Sequence, residues 1–400
     1  MTIISLLWLG VWGGMFTDIT RLNSSGLYSN FLSFFQGARA LFPLLSLLIC
    51  VMWILAVRTP FNTKQSAIGF LILYSLVGLL SSFFVSPQRS ISLYWGAIFL
   101  SPLLVIWISQ QIEEPLSYLN RIIMLNYIVS TIIFLFLLPE TIKIARGSAP
   151  MLQIYQLPFQ LGNIKVNGVG RFALIVIIFS FVRLSFSHNR LRFLWILLLA
   201  PALITLAYTR SRTALLGLAV ASLIFVYLKG INWRFFFAGP VAAYVLYISG
   251  YKWRAQQQME NLIGLTGRDY TWARGIAQVK QSPLFGWGFH ADRLMLDSEH
   301  MHNSYVHSMI QAGILGGVFF IAAMVSIWLL IRKNKLFKRI RELRSTEQIL
   351  LIECFMLIGF FTSRSFFEST AAFYGVDLLV FAPAVCYIFL WVEKNKEFLK

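Results

Sequence analysis

Three of the chain's five histidines lie in one polar run that turns directly into an apolar one: DSEHMHNSYVHSMIQAGILGG, residues 297–317. His300, His302 and His307 can in principle bind a metal or move a proton near neutral pH. A zinc site needs three or four ligands that converge tetrahedrally. His307 is five residues beyond His302, and residues five apart on a helix point roughly 140° apart. The run holds no HExxH and no cysteine. The expectation is therefore no metal and no cofactor. Proton transfer is better motivated. Asn303 can cap a helix that starts just after it, which puts His302 at the mouth of that helix and His307 one turn further in. His302 is the candidate general base. A histidine at such a boundary can also be interfacial and carry no chemistry. Gly313, Gly316 and Gly317 in the following QAGILGG either let another helix approach closely or kink their own.

Arginines form the second set. ALITLAYTRSRTALLGLAV packs Arg210 and Arg212 into a very short link between apolar runs. There they either mark helix ends or meet an anion. In TGRDYTWARGIAQVKQSPLFGWGF, residues 266–289, a short helix is expected from Asp269 to Val279, with Tyr270, Ala273, Ile276 and Ala277 on one face. Pro283 ends it, and Gly286 and Gly288 permit a tight bend. Arg268 then sits near the helix N-terminus, a plausible phosphate seat. The other cations of this region, Lys252, Arg254, Arg274, Lys280 and Arg293, are nearly balanced by Glu260, Asp269, Asp292, Asp297 and Glu299. An anion site there must come from placed arginines, not bulk charge.

The elements that position these groups belong to a membrane protein. The 400 residues are 58% hydrophobic and 12% charged, against about 25% charged in a soluble domain. About twelve spans are expected, at 3–16, 38–57, 65–85, 90–109, 122–138, 171–186, 193–209, 213–229, 232–249, 304–330, 349–363 and 371–392. The first lacks a basic flank and a cleavage site, so it reads as a span rather than a removed signal peptide. IRKNKLFKRIRELR holds seven Lys/Arg against Glu342 alone and should stay cytoplasmic. RLSFSHNRLR, Arg58 with Lys64, and Lys229 fall on the same side. The expectation is an all-α polytopic protein forming a single integral membrane domain, 1–400. Its two long loops, 139–170 and the main loop 250–303, face outward, with short helices in the latter. The net charge of +18 is spread over membrane flanks, so membrane lipids are the expected contact and nucleic acid is not. Cys50, Cys354 and Cys386 lie in apolar runs and read as small hydrophobes. Glu353 and Asp377 fall within late spans, as midplane groups or paired inside the bundle.

TRSRTALLGL, GRDYTWARGIAQVKQSPLFGWGF and HNSYVHSMIQAGILGG, in that order over roughly 205–320, resemble the bacterial O-antigen ligase and Wzy-type polysaccharide polymerase superfamily. The resemblance implies a GT-C-like membrane glycosyltransferase in the bacterial inner membrane, with its active site facing the periplasm. It implies inverting, metal-independent transfer of a glycan from a polyprenyl (undecaprenyl) pyrophosphate to a sugar hydroxyl. Polymerases use a carrier-linked repeat unit as acceptor; ligases use lipid A–core. The motifs do not separate them, and polymerase is the slight preference, with a chain-length regulator protein as a further partner. Carried over, Arg212 and Arg268, with Arg210 as a local addition, would hold the pyrophosphate, and His302 would be the base. His300 and His307 match nothing general in the family; with Asn303 and Arg171 they are candidates for a supporting role only. GNIKVNGVGRFALI, with Asn163, Asn167, Gly168 and Arg171, only loosely matches a further arginine element of the family. No GxxxxGK[ST] loop appears, so the donor's own bond would supply the energy. A transporter is the rival class; its sign would be paired interrupted helices in two corresponding halves, and no such halves are visible.

Overall fold

The structure, a computed structural model, describes residues 3–16, 27–57, 66–145, 154–156, 163–187, 191–209, 211–230, 268–297, 300–343 and 346–397. In chain order the helices are α1 (Ile3–Gly13), α2 (Leu27–Val57), α3 (Ser66–Phe84), α4 (Arg89–Ser109), α5 (Pro115–Ala145), α6 (Val166–Phe186), α7 (Leu191–Thr209), α8 (Arg212–Lys229), α9 (Arg268–Gln281), α10 (Ala291–Met295), α11 (Ser304–Lys333), α12 (Leu336–Ile340), α13 (Thr346–Arg364) and α14 (Val376–Lys394). A small antiparallel hairpin, β1 (Ile154–Gln156) with β2 (Asn163–Lys165), precedes α6.

The fold is a multi-pass helical bundle, but the expected twelve spans are not all present among the described residues. Eight helices are long and apolar enough to cross a bilayer. The expected span at 3–16 corresponds to a shorter apolar helix, Ile3–Gly13, and the one at 38–57 lies within α2, whose described apolar part is Leu41–Val57. The one at 349–363 lies in α13, which carries Glu347, Glu353 and Arg364. The one at 232–249 lies outside the described residues, as does Arg210. α7 leaves Phe193, Leu194, Ile196, Leu197, Leu203 and Ile204 exposed. A contiguous apolar face of that kind suits lipid, not water.

Buried polar groups tie the bundle together because each must find a partner where water cannot reach. Asn126 on α5 accepts from the indole N–H groups of Trp8 (2.7 Å) and Trp12 (2.8 Å) on α1, and donates to the Leu379 carbonyl on α14 (2.7 Å). Glu353 pairs with Arg183 (2.7 Å), and Asp377 with Arg171 (2.8 Å) and Arg364 (3.1 Å). These two acids are therefore paired inside the bundle.

α11 sets the long axis. Its 30 residues span about 45 Å. At one end the Ser304 N–H donates to the Ser365 carbonyl (2.9 Å), so α11 begins where α13 finishes. At the other end, Arg332 and Lys333 lead into basic α12, and Arg341 lies over the Tyr227 ring near the end of α8. α11 also breaks: Ala312 and Gly313 leave helical geometry, and Gly313 has φ 64°. Of the two sequence readings of the glycines, the kink holds at Gly313. The kink is real, and the turn after α9 fills it. Trp287 and Gly288 N–H groups donate to the Ile310 and Gln311 carbonyls (both 2.8 Å), and the Pro283 carbonyl accepts from Ile314 (2.7 Å). The backbone groups freed by the kink are thus satisfied by the inserted turn.

Candidate active site

The α11 entry is built locally. Asn303 is its N-cap: the side-chain oxygen accepts from the Tyr305 and Val306 N–H groups, both at 3.0 Å, and its amide donates to the Phe366 carbonyl (3.1 Å). His302, just before it, has left-handed backbone, φ 49°. That conformation is costly for a non-glycine residue. It turns the imidazole toward the link between α13 and α14.

There His302 Nδ1 meets Glu368 Oε2 at 2.8 Å. The other carboxylate oxygen, Oε1, accepts from Arg268 Nη2 (3.1 Å) and Asn167 Nδ2 (2.8 Å). Arg268 Nη1 donates to the Phe367 carbonyl (2.8 Å). One carboxylate, 5% exposed, therefore joins four elements: α6, α9, the α11 entry and the α13–α14 link. Burial alone would raise the Glu368 pKa. The hydrogen bond with His302 and the charges of Arg364 and Arg268 outweigh it and hold the value down to about 2. Arg268 shows the opposite balance. Burial lowers its pKa, Glu368 resists, and the charges of Arg212 and Arg364 add to the lowering. Arg212, the first residue of α8, is exposed and close enough for its charge to reach Arg268.

A hydrogen-bonded chain supports this centre from beneath. Asn167 accepts from Ser211 (3.1 Å), Ser211 meets Thr213 (3.3 Å), and Thr213 accepts from Arg364 (3.1 Å). Arg364 and Arg171 both hold Asp377, which also accepts from Thr370 (2.9 Å). Arg171 is thus turned into the α6–α14 junction, held by the carboxylate of Asp377.

The histidines separate into two groups. His302 belongs to Glu368. His300 Nδ1 lies 3.2 Å from Asp292 Oδ2, and His307 Nε2 lies 3.6 Å from Asp292 Oδ1. The ligand atoms of these three residues all fall within 4.8 Å of one another, a spacing that could hold a metal ion. The expectation of no ligand set rests on the helical spacing of His302 and His307 and does not include Asp292. Only His307 is on α11. His300 lies in the loop that folds back before it, and the third member, Asp292, is on α10. His307 Nδ1 also meets Ser369 Oγ (2.8 Å). Burial lowers the His300 pKa against the pull of Asp292.

α9 starts at Arg268, one residue before the expected Asp269, and ends at Gln281, two beyond Val279; it also packs on a different face. Tyr270, Ala273, Ile276 and Ala277 are exposed. Gly275 is buried, and Trp272 and Val279 pack beside Met301 and Ile310. A Cβ at Gly275 would stand 2.5 Å from Met301 Cε, so this close approach decides the face. Trp272 Nε1 adds a hydrogen bond to the Met301 carbonyl (2.9 Å), one residue from His302. Glu368, Arg364 and Asp292 were not singled out from sequence. The available signal was Arg364 and Glu368 four apart in a short link between apolar helices, where charges need partners.

Fold and site together define a multi-pass helical membrane protein with a histidine–carboxylate pair and arginines gathered at one end. Residues 196–321 match a family model described as O-antigen ligase, and the chain carries an O-antigen ligase family domain over that part. The matched part holds Arg212, Arg268, His300, His302, Asn303 and His307; Glu368, Arg364 and Arg171 lie outside it. A search of curated proteins found no match.

Proposed function

We propose that the protein is an inverting membrane glycosyltransferase. It moves a glycan from an undecaprenyl-type pyrophosphate donor to an acceptor sugar hydroxyl. The reaction takes place on a GT-C-like scaffold at the periplasmic face of a bacterial inner membrane. The observation that carries this reading is the shared carboxylate: Glu368 holds both His302 and Arg268. A base and a cation fixed by one group suit a reaction in which a proton leaves one partner while negative charge builds on the other.

The chemistry balances with these residues. With Nδ1 engaged by Glu368, His302 Nε2 takes the acceptor hydroxyl proton. The acceptor oxygen bonds to the anomeric carbon from the face opposite the leaving group. The bond from that carbon to the pyrophosphate oxygen breaks, and the polyprenyl pyrophosphate departs with the electron pair. Glu368 stabilises the imidazolium. Among the described residues, two of the five guanidinium N–H groups of Arg268 are engaged, to the Phe367 carbonyl and Glu368, which fixes its plane; the rest of the fork would meet the leaving group. Arg212 adds charge at the same place, and Arg210, outside the described residues, is assigned there too. Fixed cationic donors that meet developing charge can each contribute about 3 kcal/mol. No step needs a metal.

The leading assignment is repeat-unit polymerase, with a carrier-linked glycan as acceptor and a chain-length regulator as partner. Ligation to lipid A–core is the second reading, favoured by the description of the matched family. Deleting the gene and analysing lipid-linked glycans separates them. Single carrier-linked repeats accumulate if the protein polymerises, and full-length carrier-linked chains accumulate if it ligates. Unchanged glycans would contradict both.

A further inference from the structure

The loop leading to His302 contains a second polar centre that glycosyl transfer does not use. We propose that Asp292, His300 and His307 bind one zinc-type divalent cation, whose role is to fix that loop on α11. The donors would be the Asp292 carboxylate, His300 Nδ1 and His307 Nε2.

Four observations carry the assignment. The donor set, two imidazoles and one carboxylate, suits zinc and its neighbours. In a tetrahedral site with bonds of about 2.0–2.1 Å, donor atoms stand about 3.3 Å apart. His300 Nδ1 stands 3.2 Å from one Asp292 oxygen and His307 Nε2 3.6 Å from the other, and with one donor atom from each residue all three lie within 4.8 Å, so a bound cation would draw them together by about an ångström. His307 Nδ1 is held by Ser369 Oγ at 2.8 Å, which directs Nε2 inward, the usual support for a ligating histidine. Finally, a cavity of about 190 Å³ borders all three residues and has room for a water as fourth ligand.

The backbone gives the centre a purpose. His290, Asp297 and His302 all have left-handed φ, at 66°, 54° and 49°. Such backbone is costly for a non-glycine residue and persists only where its surroundings over-determine it. A cation joining α10, the loop and α11 does this. Two neighbours must yield. The Gln311 amide nitrogen lies 2.5 Å from His307 Nε2 and would give up that lone pair. Arg293 Nε, 4.0 Å from Asp292 and 37% exposed, can swing toward solvent.

The proposal is independent of the transferase reading, and its test does not use activity. The full chain is purified in detergent through a tag free of histidine, stripped with chelator, and loaded with Zn²⁺ or Co²⁺. The expected result is one metal per chain by mass spectrometry, visible bands of tetrahedral Co²⁺, and a higher unfolding temperature than the stripped protein. Asp292→Asn and His300→Gln should each weaken Zn²⁺ binding by at least about tenfold, whereas His302→Ala should keep it. Wild-type protein without stoichiometric metal, and Co²⁺ without those bands, would overturn the proposal and leave a hydrogen-bonded Asp–His cluster only. If the variants fail to fold, the wild-type Co²⁺ spectrum decides alone.

Discussion

His302 Nδ1 lies 2.8 Å from Glu368 Oε2, across 66 residues of chain and between the entry of α11 and the link after α13. On the proposed mechanism, the carboxylate holds Nδ1 and leaves Nε2 for the acceptor proton. Glu368→Gln keeps the shape and removes the charge. Single-turnover transfer should slow by roughly 10²-fold or more, the scale of a compromised general base, while donor binding persists. A rate within threefold of wild type would remove Glu368 from the account.

Arg268 makes two directed contacts, to the Phe367 carbonyl and to Glu368. Lysine keeps the charge and loses the planar fork. Arg268→Lys should lower kcat/KM about 10- to 100-fold, equivalent to about one charged hydrogen bond. Steady-state kinetics check this, and wild-type turnover would sink the clamp.

Gly313 carries the kink that receives the Pro283–Gly288 turn. Its φ is 64°, and a Cβ there would stand 2.2 Å from the Leu284 carbonyl carbon. Gly313→Ala should destabilise the protein by about 1–3 kcal/mol, read as a lower Tm in detergent. Activity should fall with it, because the turn anchors the segment from Pro283 toward α11. An unchanged Tm would mean that the turn and α11 are not locked together.

Acid should weaken the site in a defined window. The Glu368 pKa falls from 4.5 to about 2 in the fold. A group depressed in this way contributes stability that is fully present above pH 4.5 and is lost as pH falls toward 2. The gap corresponds to about 3 kcal/mol. Wild type should therefore be more stable than Glu368→Gln at pH 6, and the difference should shrink between pH 4.5 and 2. A pH-independent difference in Tm would contradict the ionised pair.

What the sequence disclosed and what it hid follow from the range of each interaction. The start of α9 at Arg268 and the Asn303 cap rest on signals within a turn of the residues concerned, and both were legible. The partner of His302 was not, because Glu368 sits in a short irregular link with no periodicity and meets the histidine only when α11 and α13 align. Arg171 was visible as an arginine near a span, but its tie to Asp377 crosses 206 residues. The approach of His300 and His307 to Asp292 does not follow from helical spacing, because the first half of the run is loop and Asp292 comes from α10; left-handed backbone at His302 changes where His300 points. The face of α9 went astray because a small residue, Gly275, packs against α11 while larger apolar ones stay exposed. Among the described residues the expected spans at 3–16 and 349–363 are not among the eight long apolar helices, because one run is short and the other, in α13, carries acids.

The central claim is that His302 is the base for transfer. The direct measurement uses purified His302→Ala with a polyprenyl pyrophosphate-linked repeat, following both glycan product and released polyprenyl pyrophosphate, with donor binding measured on the same sample. The account predicts that both products fall by roughly 10²–10⁴-fold while the donor Kd changes less than threefold. Transfer at the wild-type rate by this variant would contradict it.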